Sequence, residues 1–142
     1  MTDSARKPLK HGVMKMVDEA MGEVVTLSVE DAAAKIDDPN VLFVDLRDVR
    51  ELDREGQIPS AFNVNRGMLE FWIDPESPYF KEPLGDDREK VLYCASGWRS
   101  ALAAKTLQDM GVPNVAHIEG GFTAWRDAGK PVVQRERHGK KK

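Results

Sequence analysis

The chain has 142 residues, of which 41% are hydrophobic and 32% charged, and a formal net charge of −3. That length suits one soluble domain with a real core and loose ends, so folding needs neither disulfides nor a structural metal. The net charge is too small to argue for nucleic-acid binding or for strong repulsion from it, no apolar run is long enough to cross a bilayer, and one cysteine excludes an internal disulfide; no nucleic-acid or membrane partner is expected. The lone thiol, and N-terminal cations with no apolar stretch after them, give the expectation of a cytoplasmic protein.

Residues 1–11 are polar and read as a loose lead-in. Val13, Met16, Val17, Ala20, Met21 and Val24 then recur at helical spacing. They predict a short amphipathic helix that either packs on the domain surface or meets a partner. Residues 1–23 are therefore set apart from a main domain over 24–133. Ser28 with Asp31 is a helix start, with a hydroxyl cap and an acidic residue in the first turn. That helix should run to about Ile36 and end at Asp37-Asp38-Pro39-Asn40.

Val41-Leu42-Phe43-Val44 is an apolar run with turn residues before it, as in a strand covered on both faces. Val91-Leu92-Tyr93 and Val115-Ala116-His117-Ile118 read the same way. Between these two lies a helix from about Arg99 to Met110, with Ala103, Leu107 and Met110 on one face and Gly111 placed to end it. The long connection 67–87 carries Phe71, Trp72, Tyr79 and Phe80, which either fill the core beneath a loop or line the mouth of a site. Residues 134–142 form a basic tail, expected to be flexible.

Strands alternating with helices indicate an α/β fold with a parallel sheet. In such sheets ligands sit beyond the C-terminal ends of the strands. Asp45 and Cys94 directly follow the runs 41–44 and 91–93, so both belong to that rim.

The segment Cys94-Ala95-Ser96-Gly97-Trp98-Arg99-Ser100 carries the most chemistry. A lone cysteine is often an inert, buried small residue. Here it stands in a short glycine-containing loop between a strand and a helix. Such a loop can point successive amide hydrogens inward as an anion-binding nest. The helix adds its positive N-terminal end, and Arg99 adds a full charge. All three favour the thiolate over the thiol. They would equally hold the outer sulfur of a persulfide, which is anionic at neutral pH. Ser100 can donate a hydroxyl hydrogen bond or cap the helix. Arg99 can face the anion or turn back to Asp45 as a strut.

The pattern Cys-x-x-Gly-x-Arg-Ser, after a strand and before a helix, resembles the active-site loop of rhodanese-like sulfurtransferases of the single-domain, thiosulfate-using type. Three further segments carry the likeness. Val44-Asp45-Leu46-Arg47-Asp48 with Glu51 resembles the family's Asp-x-Arg segment and downstream Glu. Gly56-Gln57-Ile58-Pro59-Ser60-Ala61 with Asn63 resembles its Gly-His-Ile-Pro-Gly-Ala…Asn segment, with Gln57 and Ser60 as departures. Glu119-Gly120-Gly121-Phe122, Ala124-Trp125, Ala128-Gly129 and Pro131-Val132 resemble its closing motif. The resemblance covers roughly residues 24–133.

It implies a five-stranded, mostly parallel sheet with helices on both faces. It also implies two-step sulfur transfer without metal or organic cofactor. Cys94 takes a sulfane sulfur from a small donor such as thiosulfate, and the persulfide passes it to cyanide, a thiol or a protein acceptor. Ala95, Ser96, Gly97, Trp98, Arg99 and Ser100 would bind the transferred group, with Asp45, Arg47 and Glu51 in support. Asp45 and Glu51 are open to a catalytic role or to a structural one beneath the loop. Because Ala95, Ser96 and Trp98 supply no cation, thiosulfate is the less secure donor.

Two rival readings accompany this one. Cysteine phosphatases also combine a Cys, an amide-lined loop and an Arg, but resemble this loop with one more residue between the two. The four residues here make a smaller cradle, better matched to a sulfur atom than to a phosphoryl group. Alternatively, the domain relays persulfide to a partner protein as a carrier with little turnover. His11, His117 and His138 lack metal-ligand spacing, so no metal site is expected. His117, in a strand, reads as a satisfied core or rim residue. Lys140-Lys141-Lys142 reads as a solvated tail.

Overall fold

The computed structural model describes residues 6–135. The start of the lead-in and residues 136–142, with His138 and the terminal lysines, lie outside the described residues. Strands β1 (Val25–Leu27), β2 (Val41–Asp45), β3 (Phe62–Asn63), β4 (Glu89–Tyr93) and β5 (Val115–Ile118) form one sheet in the order β1-β5-β4-β2-β3. Every pairing within it is parallel. Helices α1 (Val13–Met21), α2 (Val29–Ala33), α3 (Val49–Glu55), α4 (Leu69–Ile73), α5 (Trp98–Met110) and α6 (Gly121–Asp127) complete the α/β fold.

The strand period of two divides the core between the two sheet faces. Leu42, Val44 and Leu92 meet Ala103, Ala104 and Leu107 of α5 and Leu69 and Ile73 of α4 on one side. Phe43, Val91 and Tyr93 meet Ala32 of α2 and Phe122 and Trp125 of α6 on the other. Both faces are thus covered, as continuous apolar runs require. The Trp125 ring is fully buried, and its Nε1–H donates to the Pro131 carbonyl at 2.7 Å.

Ser28 caps α2, its hydroxyl accepting from the Asp31 amide at 3.0 Å. The α-helix closes at Ala33, and three-residue turns carry the chain on through Ile36. Gly111 ends α5 in the left-handed conformation at φ 93°. In α1, Val17 and Ala20 are buried and pack toward α5, while Val13, Met14, Met16 and Met21 stay exposed.

Three expectations are corrected. Met110, placed on one face with Ala103 and Leu107, is exposed at the last position of the helix while those two are buried. Strand β4 begins at Glu89, two residues before the apolar run. It buries the Lys90 stem, while the ammonium reaches Asp86 and the carbonyls of Asp86 and Arg88 at the strand's end. Phe71 and Tyr79 do not fill the core: they are exposed and paired edge to face at 6.5 Å. Trp72 alone of the four rings packs against the α4–α5 face of the core. Among the described residues, no helix is long and apolar enough to cross a membrane.

Ser60 replaces the expected glycine at a turn with φ 66°, in the left-handed region where a Cβ is disfavoured. Ser60→Gly relieves that conformation and gives back part of the gain as unfolded-state entropy. The expected net result is a stabilisation of about 0.5 kcal/mol, read as a higher urea midpoint with an unchanged slope.

Candidate active site

Strand β4 delivers Cys94 to the sheet's C-terminal rim, and α5 starts four residues later. Gly97 sits between them at φ 104°, a conformation that turns the chain back over the sulfur. The Cys94 Sγ accepts from the Gly97 amide at 3.2 Å and from the Ser100 amide at 3.4 Å. One amide belongs to Gly97, the N-cap residue, and the other to the first turn of α5, so the positive end of that helix faces the sulfur. Cys94 is 1% exposed, and the loop around it is graded: Gly97 and Ser100 are buried, Ala95 and Arg99 half-buried, Ser96 and Trp98 exposed.

Ser100 does not cap α5. Its hydroxyl lies 3.7 Å from Sγ, 3.2 Å from the Gly97 carbonyl and 2.9 Å from His117 Nδ1. Arg99 does not reach Asp45. Both of its terminal nitrogens donate to the Glu51 carboxylate at 3.1 Å. Glu51 also accepts from the Asp48 amide, closing a capping box at the start of α3. Asp45 is taken instead by Arg47, whose Nε and Nη2 donate at 3.0 and 2.8 Å while Nη2 also donates to the Gly56 carbonyl. Both side chains are fully buried. The Arg47 guanidinium stacks 4.1 Å from the Phe122 ring centroid.

Burial pushes the Glu51 carboxyl up, and the Arg99 bonds with the Asp48 N–H outweigh it, so the group ionises below its usual range. A carboxylate depressed in the folded state stabilises above its unfolded pKa, and that contribution disappears as pH falls through the lower folded value. Urea midpoints of wild type and Glu51→Gln should therefore differ at neutral pH and converge on acidification below the ordinary glutamate range. Midpoints that stay equally far apart at low pH would contradict this.

Two elements from the closing segment complete the loop, and the sequence pattern did not reveal either function. The Cys94 carbonyl accepts from the Phe122 amide at 2.7 Å, and the Ala95 carbonyl from the Thr123 amide at 3.1 Å. Gly121 lies against them so closely that a Cβ would stand 2.4 Å from the Cys94 carbonyl oxygen. A glycine pair after a strand was the available signal. Asn63, on the far side, donates to the carbonyls of Asp45 and Arg47. The Gln57 side chain, at the other departure, stays within its turn and donates to the Ala61 carbonyl.

The described residues hold no cluster of His, Cys, Asp or Glu suited to a metal. The arrangement is a buried sulfur under two helix amides, with a hydroxyl beside it. A family model for the rhodanese-like domain matches residues 28–128. The chain belongs to the rhodanese-like family. It is 33% identical to a sulfurtransferase of Allochromatium vinosum over 100 residues, covering 70% of this chain and 85% of that one. It is 32% identical to the thiosulfate sulfurtransferase GlpE of Shewanella oneidensis, covering 72% and 92%. A solved Rhodopseudomonas palustris structure, described as a protein of unknown function and possible tyrosine phosphatase, superposes with a TM-score of 0.86 at 53% identity, covering 90% and 98%. These rhodanese-like homologues support sulfur transfer in general.

Proposed function

We propose that this rhodanese-like domain is an enzyme that moves a sulfane sulfur from a small donor to a thiophilic acceptor through a persulfide on Cys94. The observation that carries the reading is the pair of helix amides, from Gly97 and Ser100, aimed at one buried sulfur. Donors fixed before reaction stabilise negative charge on the thiolate and then on the persulfide without reorganising. The thiolate attacks the donor's outer sulfur, a new S–S bond forms, and the donor leaves with the electron pair of the old one, as sulfite when the donor is thiosulfate. In the second half the acceptor attacks the outer sulfur, and the Cys94 Sγ–S bond breaks. A thiol that must stay reduced between turnovers suits a reducing compartment such as the cytoplasm.

The partners of Arg99 favour one refinement. Its guanidinium is held by Glu51, and Ala95, Ser96, Gly97 and Trp98 bring no further cation. That setting suits a singly charged or organic persulfide better than dianionic thiosulfate, and the exposed Trp98 ring offers apolar surface beside the loop. A carrier that passes sulfur to a protein acceptor is the second reading that this favours. Mass spectrometry after incubation with thiosulfate or glutathione persulfide, followed by cyanide, separates the cases. Gain of one sulfur atom with repeated thiocyanate production marks the enzyme. The same gain without turnover marks the carrier. No gain from either donor overturns sulfur transfer through Cys94.

A further inference from the structure

His117 is buried in β5, directly behind the loop, and the sulfur chemistry described above leaves it without a task. Its Nδ1 lies 2.9 Å from Ser100 Oγ, and its Nε2 lies 3.1 Å from Thr26 Oγ1 on β1, its register partner across the sheet. Ser100 Oγ is in turn 3.7 Å from Cys94 Sγ. Four side chains, from the loop after β4, from α5, from β5 and from β1, thus form one hydrogen-bonded file from the buried sulfur to the half-buried Thr26 on the edge strand. Resting on the sulfur-transfer reading, we infer that Ser100, His117 and Thr26 form a proton relay that empties and refills Cys94 Sγ during the reaction, with His117 as its positioning and relay residue.

Every member of the file can both accept and donate, so a proton passes along it by a shift of each bond. With Cys94 as thiol, S–H donates to Ser100, Ser100 to His117 Nδ1, and Nε2–H to Thr26. Ionisation moves one proton at each step, and the Thr26 proton goes to water. Ser100 then donates to the thiolate, Nδ1–H to Ser100, and Thr26 to Nε2. The ring ends neutral in its other tautomer, with no charge stranded in the core. Burial favours that form, because it pushes the His117 pKa below the ordinary value. Asp18 of α1 and Glu119 after β5 border the same roughly 230 Å³ cavity as His117, and Arg99, paired with Glu51, interacts with Cys94. In the second half-reaction the file runs backwards. Cyanide bonds to the outer sulfur, and the Sγ–S electron pair stays on Sγ. The Ser100 proton caps it, water refills the chain through Thr26, and thiocyanate leaves.

Two measurements test this. In ¹⁵N spectra of the full chain, the protonated ring nitrogen of His117 is expected to change from Nε2 to Nδ1 over the pH range in which Cys94 becomes reactive to iodoacetamide. A tautomer that stays fixed through that range overturns the relay, and this readout needs no sulfur transfer. The second is cyanide discharge of the persulfidated protein. His117→Gln keeps a hydrogen-bonding side chain but cannot pass a proton through a ring. It should slow discharge at least about tenfold and abolish the curved dependence on deuterium fraction expected of wild type. Thr26→Val, which cuts only the outer end, should do the same and decides the question if the His117 variant does not fold. Wild-type rates and deuterium dependence in folded variants would overturn the relay while leaving sulfur transfer intact. A wild type that takes up no sulfur at all would overturn the sulfur-transfer reading instead.

Discussion

Cys94→Ala is expected to abolish thiosulfate:cyanide and persulfide:cyanide sulfur transfer, a loss of at least about a thousandfold, with little change in the urea midpoint. The reason lies in what the sulfur does in each half of the reaction. In the proposed mechanism it is the attacking atom in the first and the leaving atom in the second, and no other cysteine among the described residues could hold the sulfur between them. The fold has little at stake there. Cys94 is small and buried, and alanine leaves the Cys94 carbonyl bond to the Phe122 amide untouched. Cys94→Ser is the sharper control. It offers the same two amides an oxygen, which does not ionise at neutral pH and cannot form a persulfide. Either variant retaining half of wild-type turnover would remove Cys94 from the mechanism.

Asp45→Asn is expected to cost about 3 kcal/mol of stability and to slow sulfur uptake about tenfold to a hundredfold. Asp45 and Arg47 are both fully buried and share two charge-assisted bonds. Neutralising the carboxylate leaves the buried guanidinium with the Gly56 carbonyl and the more distant Glu55 carboxylate at 3.4 Å, and the loss of its main counter-charge sets the cost. The effect reaches the active site by contact. Arg47 packs on the Phe122 ring, and the Phe122 amide holds the Cys94 carbonyl. The Asp45 main chain pairs with Tyr93, the residue before Cys94. Asp45→Leu combined with Arg47→Met leaves neither charge exposed to the core and should recover most of the stability lost in the single variant. Urea unfolding of the three proteins checks both statements, and a single variant as stable as wild type would contradict them.

How far the sequence could be read follows the reach of each interaction. Local signals were legible. Ser28 caps α2 through a residue three positions away, Gly111 ends α5, and β5 has the bounds 115–118 that its apolar run suggested. The cysteine loop was legible as well, because its strand, glycine and helix are contiguous. The partner of Arg99 was not. Glu51 lies 48 positions away, and Asp45 was an equally charged candidate until the packing of α3 brought Glu51 alongside. His117 shows the same limit. Its neighbours in the chain are apolar strand residues, and its two partners lie 17 and 91 positions away. Phe71 and Tyr79 failed in the opposite sense, since ring size suggested burial and the connection carrying them turns both rings outward.

The clasp between the cysteine loop and the start of α6 has a consequence for how the protein is made. The ribosome releases Cys94 well before it releases Gly121, which packs against the loop, and Phe122 and Thr123, whose amides hold the Cys94 and Ala95 carbonyls. Until those residues arrive and β5 docks beside β4, the nascent thiol has its strand and helix but no brace for its backbone. The backbone geometry around Cys94 is thus completed only by residues that lie 27 to 29 positions further along the chain.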